Sequence, residues 1–151
     1  MPKLNNQQNQ QYEKIANFLR NEGFRLTEIR LSTIKVIIKL DHPTTMDIIA
    51  ELQKEYKNIN VMSVYNTIDL LLQKHIIFSN TFNGKQICYE IATNKSMHLK
   101  CDNCGQVQEI KNHELDKIQI LNINEIAKNH SITADHFKIE VHGTCAKCAL
   151  K

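Results

Sequence analysis

The sequence predicts an α+β chain in two parts: an N-terminal winged-helix half, then a smaller α/β half closed by a four-cysteine zinc site. Three observations carry this reading. Apolar residues recur at helical spacing from Tyr12 to Leu72. Two runs rich in β-branched and aromatic residues then flank Asn83-Gly84, a strong short-range hairpin signal. Two Cys-x-x-Cys units, Cys101 to Cys104 and Cys145 to Cys148, stand in the second half.

A chain of 151 residues holds one domain or two small ones. Halves of that size have thin cores, which zinc or dimerisation helps to keep folded. The formal net charge is only +3, with ten basic and eight acidic residues in positions 1–80 and nine and eight beyond. Any footprint on nucleic acid must therefore come from where charge is placed, not from its amount. No apolar run approaches membrane-spanning length, and no signal peptide is visible, so a reducing cytoplasm is expected.

In chain order, residues 1–11 are rich in Asn and Gln and read as a flexible N-terminal tail. Residues 12–92 form the winged-helix part. Its first helix presents Tyr12, Ile15, Ala16 and Leu19 on one face and stops at Gly23. Thr27 caps a second helix with Leu31, Ile34, Ile37 and Ile38 inward. Pro43 ends that run, disfavouring helix at His42. Thr44 with Asp47 forms a capping box, with Asp in place of the usual Glu or Gln, ahead of a third helix facing inward through Ile48, Ile49, Leu52 and Tyr56.

Asn60 caps a fourth helix with Val61, Val64, Ile68, Leu71 and Leu72 inward and Ser63, Asn66, Thr67 and Asp69 largely outward. This is either an ordinary core helix with a solvated face or the recognition helix of a helix-turn-helix, which must present base-reading side chains to a major groove. The hairpin that follows, Ile76–Phe82 and Lys85–Ile91, favours the second alternative, because a hairpin there makes a wing.

Residues 93–96 read as a hinge and 97–151 as the second part, with strands over 97–101 and 106–110, a helix over 113–130 and a strand over 136–142. The last alternates, Phe137, Ile139 and Val141 on one face and His136, Lys138, Glu140 and His142 on the other. Cys101, Cys104, Cys145 and Cys148 suit one tetrahedral zinc ion per chain, since two intervening residues let both sulfurs of a pair face it. Disulfides or buried thiols are the alternatives, and disulfides are uncommon in reducing compartments. A structural zinc site contributes roughly 10–16 kcal/mol in small peptides.

Several segments together resemble the ferric uptake regulator family of bacterial metal-responsive regulators. These are Arg25-Leu26-Thr27-Glu28-Ile29-Arg30, His42-Pro43-Thr44, Val64-Tyr65-Asn66-Thr67, Tyr89-Glu90, His98-x-x-Cys101-x-x-Cys104-Gly105 and Cys145-x-x-Cys148. The resemblance covers about residues 12–149 and implies a winged-helix DNA-binding domain, a dimerisation domain, and homodimers that bind palindromic operators when metal is bound. It also implies a regulatory site made of His42, Glu90, His98 and Glu109. Two imidazoles and two carboxylates suit Fe(II), Mn(II) or Zn(II). Of the DNA contacts, Tyr65 suits a thymine methyl, Ser63, Asn66 and Thr67 suit bases or phosphates, and Arg25 suits a phosphate.

The chain departs from the family where many members carry a histidine two residues before the one aligned with His98; here Ser96 stands there. Phe137 stands where many members place another histidine, and Lys95 and Met97 replace further ligands, so an additional site of some members is expected to be absent. His75, His113, His130 and His142 read as surface or helix-end residues, and Cys88 as a small buried one. The expected function is metal-dependent repression of metal-homeostasis genes, with peroxide sensing as the alternative within the family. Glu rather than Asp at Glu109 leans towards the first. No nucleophile motif or phosphate loop supports an enzyme with a small-molecule substrate.

Overall fold

The computed structural model describes residues 3–40, 42–81, 86–92, 95–110, 123–134 and 137–150, with the backbone alone at 95 and 96. The chain divides into two units, Met1–Ala92 and Thr93–Lys151.

In the first unit, α1 runs Asn6–Asn21, so it starts within the stretch read from sequence as a tail. The reason is a full capping box. The Gln8 backbone N–H donates to the Asn5 side chain at 2.8 Å, and the Asn5 N–H donates to the Gln8 side chain at 2.9 Å. The helix ends as a Schellman motif: Gly23, at φ 80, donates to the Arg20 carbonyl, and Phe24 donates to Leu19.

The second helix, α2 (Glu28–Lys39), starts where the Thr27 hydroxyl accepts from the Arg30 N–H. It is the centre of the unit. Ser32 to Ile34 and Val36 to Ile38 are buried, and α1, α3 (Thr45–Gln53) and α4 (Val61–Gln73) all pack on it. The two buried hydroxyls on α2 are paired, as burial favours: Thr33 donates to the Ile29 carbonyl, and Ser32 bonds the Tyr56 hydroxyl. The Thr44–Asp47 capping box and the Asn60 cap are both present, the latter accepting from the Met62 N–H at 3.0 Å.

Past α4, His75 takes the left-handed backbone (φ 53) that closes the helix, with Ile76 donating to the Leu71 carbonyl. The wing strands β1 (Ile77–Asn80) and β2 (Cys88–Ile91) pair antiparallel, Ile77 opposite Ile91 and Asn80 opposite Cys88. The Asn83-Gly84 turn lies outside the described residues. The β2 strand is also tied to the segment entering α3. The Tyr89 N–H donates to the Pro43 carbonyl at 2.9 Å, Cys88 bridges Thr44, and the Tyr89 hydroxyl meets that of Thr45. Leu19, Ile34, Ile48, Leu52, Val64, Ile68, Leu71 and Ile77 make one continuous core.

Among its described residues the second unit is a three-stranded sheet in the order β4-β3-β5 with two short helices. The central strand, β3 (Lys95–Cys101), pairs antiparallel with β4 (Val107–Glu109) and parallel with β5 (Phe137–Gly143). Between β4 and β5, α5 covers Ile123–Asn129; residues 113–122 of the longer expected helix, together with His113 and His136, lie outside the described residues. The chain closes with α6 (Ala146–Ala149). Among the described residues of this unit only His98 and Cys101 are buried.

Candidate metal centres and nucleic-acid interface

Cys101 ends β3 and Cys104 lies in the tight turn that follows, which Gly105, at φ 74, closes by donating to the Cys101 carbonyl. Cys145 precedes α6, and its carbonyl accepts from Cys148. The parallel β3–β5 pairing joins the two turns, with the Asp102 N–H donating to Gly143. All four sulfurs then lie within 4.8 Å of one another, Cys104 and Cys145 at 3.9 Å. Tetrahedral zinc with Zn–S bonds of about 2.3 Å sets sulfurs ~3.8 Å apart, so the donors and their spacing fit zinc.

The protons agree with this. The N–H groups of Cys145 and Cys104 point at the Cys101 sulfur and hold its thiol down to about 6. The Cys148 thiol is pushed up to about 12, because it hydrogen-bonds to Cys145 and Cys104 beside the Cys101 thiolate. Four thiolates in one place repel one another without a cation between them, so metal binding releases protons.

Within the first unit, Pro43 and Thr44 are laced to β2, and this brings His42 against Glu90. His42 Nε2 lies 3.1 Å from Glu90 Oε2, both side chains largely buried. His42 sits at φ 49, a backbone that costs a non-glycine residue about 1–2 kcal/mol. Such a cost concentrates where function demands a geometry. The nitrogen and oxygen are spaced as two ligands on one divalent ion are. In the second unit, His98 of β3 stands opposite Glu109 of β4, and the two side chains project from the same face of the sheet. His98 is buried and Glu109 is exposed. The side chain of Ser96 lies outside the described residues.

On α4, Tyr65 and Asn66 are exposed and Ser63 is half-buried, so all three can meet a ligand. Thr67 cannot. It is 1% exposed and its hydroxyl donates to the Ser63 carbonyl at 2.7 Å, so the sequence assignment of Thr67 to the outer face is corrected. Val61, placed inward from its periodicity, is exposed instead. Arg25, two residues before the α2 cap, is exposed.

One interaction had no place in the sequence reading. His142, taken there as a plain surface residue, is held by Asp102 at 3.1 Å and Glu140 at 3.3 Å. Its pKa is raised by the Asp102 hydrogen bond first and then by Glu140. Alternation already put Glu140 and His142 on one face of β5. Asp102 arrives only through the parallel strand pairing. Cys88 is half-buried, and burial followed by the Asp47 charge raises its thiol pKa.

Residues 21–142 match the Ferric uptake regulator family. The chain belongs to that family. Its curated relatives include the "Peroxide operon regulator" of Bacillus subtilis, 25% identical over 134 residues that span 88% of this chain and 90% of that one. Another is the "Peroxide-responsive repressor PerR" of Staphylococcus aureus strain Mu50, 27% identical over 139 residues that span 90% and 89%. Among solved structures, the Helicobacter pylori ferric uptake regulator matches at TM-score 0.66 and 20% identity, covering 99% of this chain and 97% of that one. A zinc uptake regulator complexed with zinc and DNA matches at TM-score 0.61 and 21% identity, covering 97% of each. As a member of this family the chain is a metal-dependent transcriptional repressor, and it carries donor groups for zinc and for a second divalent metal. Its donor groups fit both: four thiolates for the first, and imidazoles with carboxylates for the second. Among the described residues, no helix is long and apolar enough to cross a membrane.

Proposed function

We propose that the chain works as a cytoplasmic homodimer that represses metal-homeostasis genes from palindromic operators when its regulatory site is loaded. Zinc is held by Cys101, Cys104, Cys145 and Cys148. The regulatory ion, Fe(II), Mn(II) or Zn(II), would be held by His42, Glu90, His98 and Glu109. The observation that carries the reading is the His42–Glu90 pair at 3.1 Å, built by the backbone ties between β2 and the Pro43–Thr45 segment. These two ligands belong to the winged-helix unit, and His98 and Glu109 belong to the other. Groups from both units on one ion would favour a single arrangement of the two, and ligands that bind one state only shift the population towards it. Tyr65, Ser63 and Asn66 would then meet bases and Arg25 a phosphate; Thr67 is left out, being buried.

Peroxide-responsive repression is the second reading, favoured by the similarity to the Bacillus and Staphylococcus regulators. Both carboxylate positions here are Glu, which supports the first. A gel-shift assay with DNA from upstream of the chain's own gene, with and without Mn(II) or Fe(II) and after peroxide, separates the two. His42→Ala and His98→Ala are expected to keep zinc and dimer yet lose metal-stimulated binding. Metal-stimulated binding retained in His98→Ala refutes the regulatory site. Loss of binding only after peroxide treatment of the Fe(II) form supports the second reading.

A further inference from the structure

Three large apolar side chains lie outside on α4: Val61, Met62 and Tyr65, of which Met62 is the most exposed at 62%. Single exposed apolar residues are ordinary, but these three are neighbours. Met62 and Tyr65 are three apart, and Val61 and Tyr65 four apart, so they share one surface of the helix. They occupy its N-terminal end, and no Asp, Glu, Lys or Arg occurs from Asn58 to Ile68. The backbone beneath is fixed, because the Met62 N–H is held by the Asn60 cap. The Met62 side chain projects from a rigid turn, carrying no charge and no strong hydrogen-bonding group.

We propose that Met62 is a specificity-determining residue that reads the 5-methyl group of a thymine, one base step from the thymine contacted by Tyr65. The inference rests on the DNA-binding reading of α4 given above. A recognition helix presents its N-terminal residues to base edges in the major groove. The one apolar group displayed there is the thymine methyl. A charge-free apolar surface at that end has nothing to offer a phosphate, but it matches a row of methyl groups. Methionine is unbranched and polarizable, so it can follow a methyl that a shorter side chain would not reach. A second copy of the chain is the other candidate for this surface. Three partly exposed side chains offer far less than the ~800 Å² per partner of a stable protein interface.

The test uses the full chain loaded with zinc and Mn(II), and an upstream operator duplex followed by fluorescence anisotropy. Each thymine is replaced in turn by deoxyuridine, which removes only the methyl group. In the wild type, one or two such replacements outside the Tyr65 contact are expected to weaken binding about 3–10-fold, the worth of one buried methyl. In Met62→Ala the same replacements should have no further effect, while those opposed to Tyr65 keep theirs. Met62→Leu, which retains an apolar tip, should preserve the wild-type pattern. A Met62→Ala protein with wild-type affinity and an unchanged deoxyuridine profile overturns the proposal and leaves DNA binding intact. So does a change in oligomeric mass on sedimentation without a change in DNA binding, which assigns the surface to a second copy. Wild-type protein that binds no upstream duplex at any metal loading overturns the DNA-binding reading itself, and the proposal with it.

Discussion

Replacing Cys104 with serine tests the structural role of zinc most directly. Cys104 is the exposed member of the four, so the substitution disturbs little packing while removing one thiolate. Among the described residues of the second unit only His98 and Cys101 are buried, so a bound zinc ion adds cohesion where those residues bury little. Zinc binding contributes roughly 10–16 kcal/mol in small domains, and one ligand of four is about a quarter of that, ~2.5–4 kcal/mol. At 1.4 kcal/mol per decade this is a loss of about two to three orders of magnitude in zinc affinity. Chelator competition with a chromogenic zinc indicator reads the affinity. Hydrogen exchange reads the consequence: amides of β3 and β5 should lose protection, while those of α2 and α4 keep theirs. A Cys104→Ser protein that holds zinc at wild-type affinity with unchanged exchange in β3 would refute the four-thiolate site.

Asp47 gives a pH prediction. The Thr44 side-chain and backbone hydrogen bonds hold its pKa below the ordinary 3.8. Its stabilising effect is therefore present above pH 3.8 and lost as pH falls through the lowered value, so urea melts of Asp47→Asn should show a weaker acid dependence below pH 4 than the wild type. Truncating its partner, Thr44→Ala, is expected to cost about 1 kcal/mol in the same melts. At the end of α4, His75→Gly should stabilise the first unit by up to about 1 kcal/mol, because glycine accepts the left-handed backbone without the penalty histidine meets. A lower melting temperature in that variant would mean the His75 side chain supplies more than its backbone costs.

Local chemistry was the part of the fold most legible in the sequence. The caps at Thr27, Thr44 and Asn60 are decided within three residues, and each is present. The start of α1 was missed because polarity was weighed above capping: Asn5 and Gln8 look like solvated amides, yet they satisfy each other's backbone. Thr67 was misplaced because a hydroxyl counts as polar in a periodicity, although it can return its proton to the carbonyl four residues back and be buried. The four-cysteine cluster was readable from spacing and ligand chemistry. What spacing could not reveal is the parallel pairing of β3 with β5, a long-range contact that sets Asp102 beside His142. The proposed regulatory ligand set is implied by family resemblance, not by spacing. The two backbone ties that put Glu90 beside His42 join residues too far apart in sequence for any local signal.

Strand β3 carries a proposed regulatory ligand, His98, and, three positions on, Cys101 of the four-cysteine cluster. Strand side chains alternate, so these two project from opposite faces, and a slip of one residue would turn both away from their partners. The cysteine tetrahedron tolerates no such slip. On the proposed ligand set, zinc would act as a pin that holds β3 in the register that sets His98 opposite Glu109. On the proposed ligand set, metals must be acquired in order. Chains made during zinc starvation would be deaf to the second ion however abundant it became, and the genes under their control would stay derepressed until zinc returned.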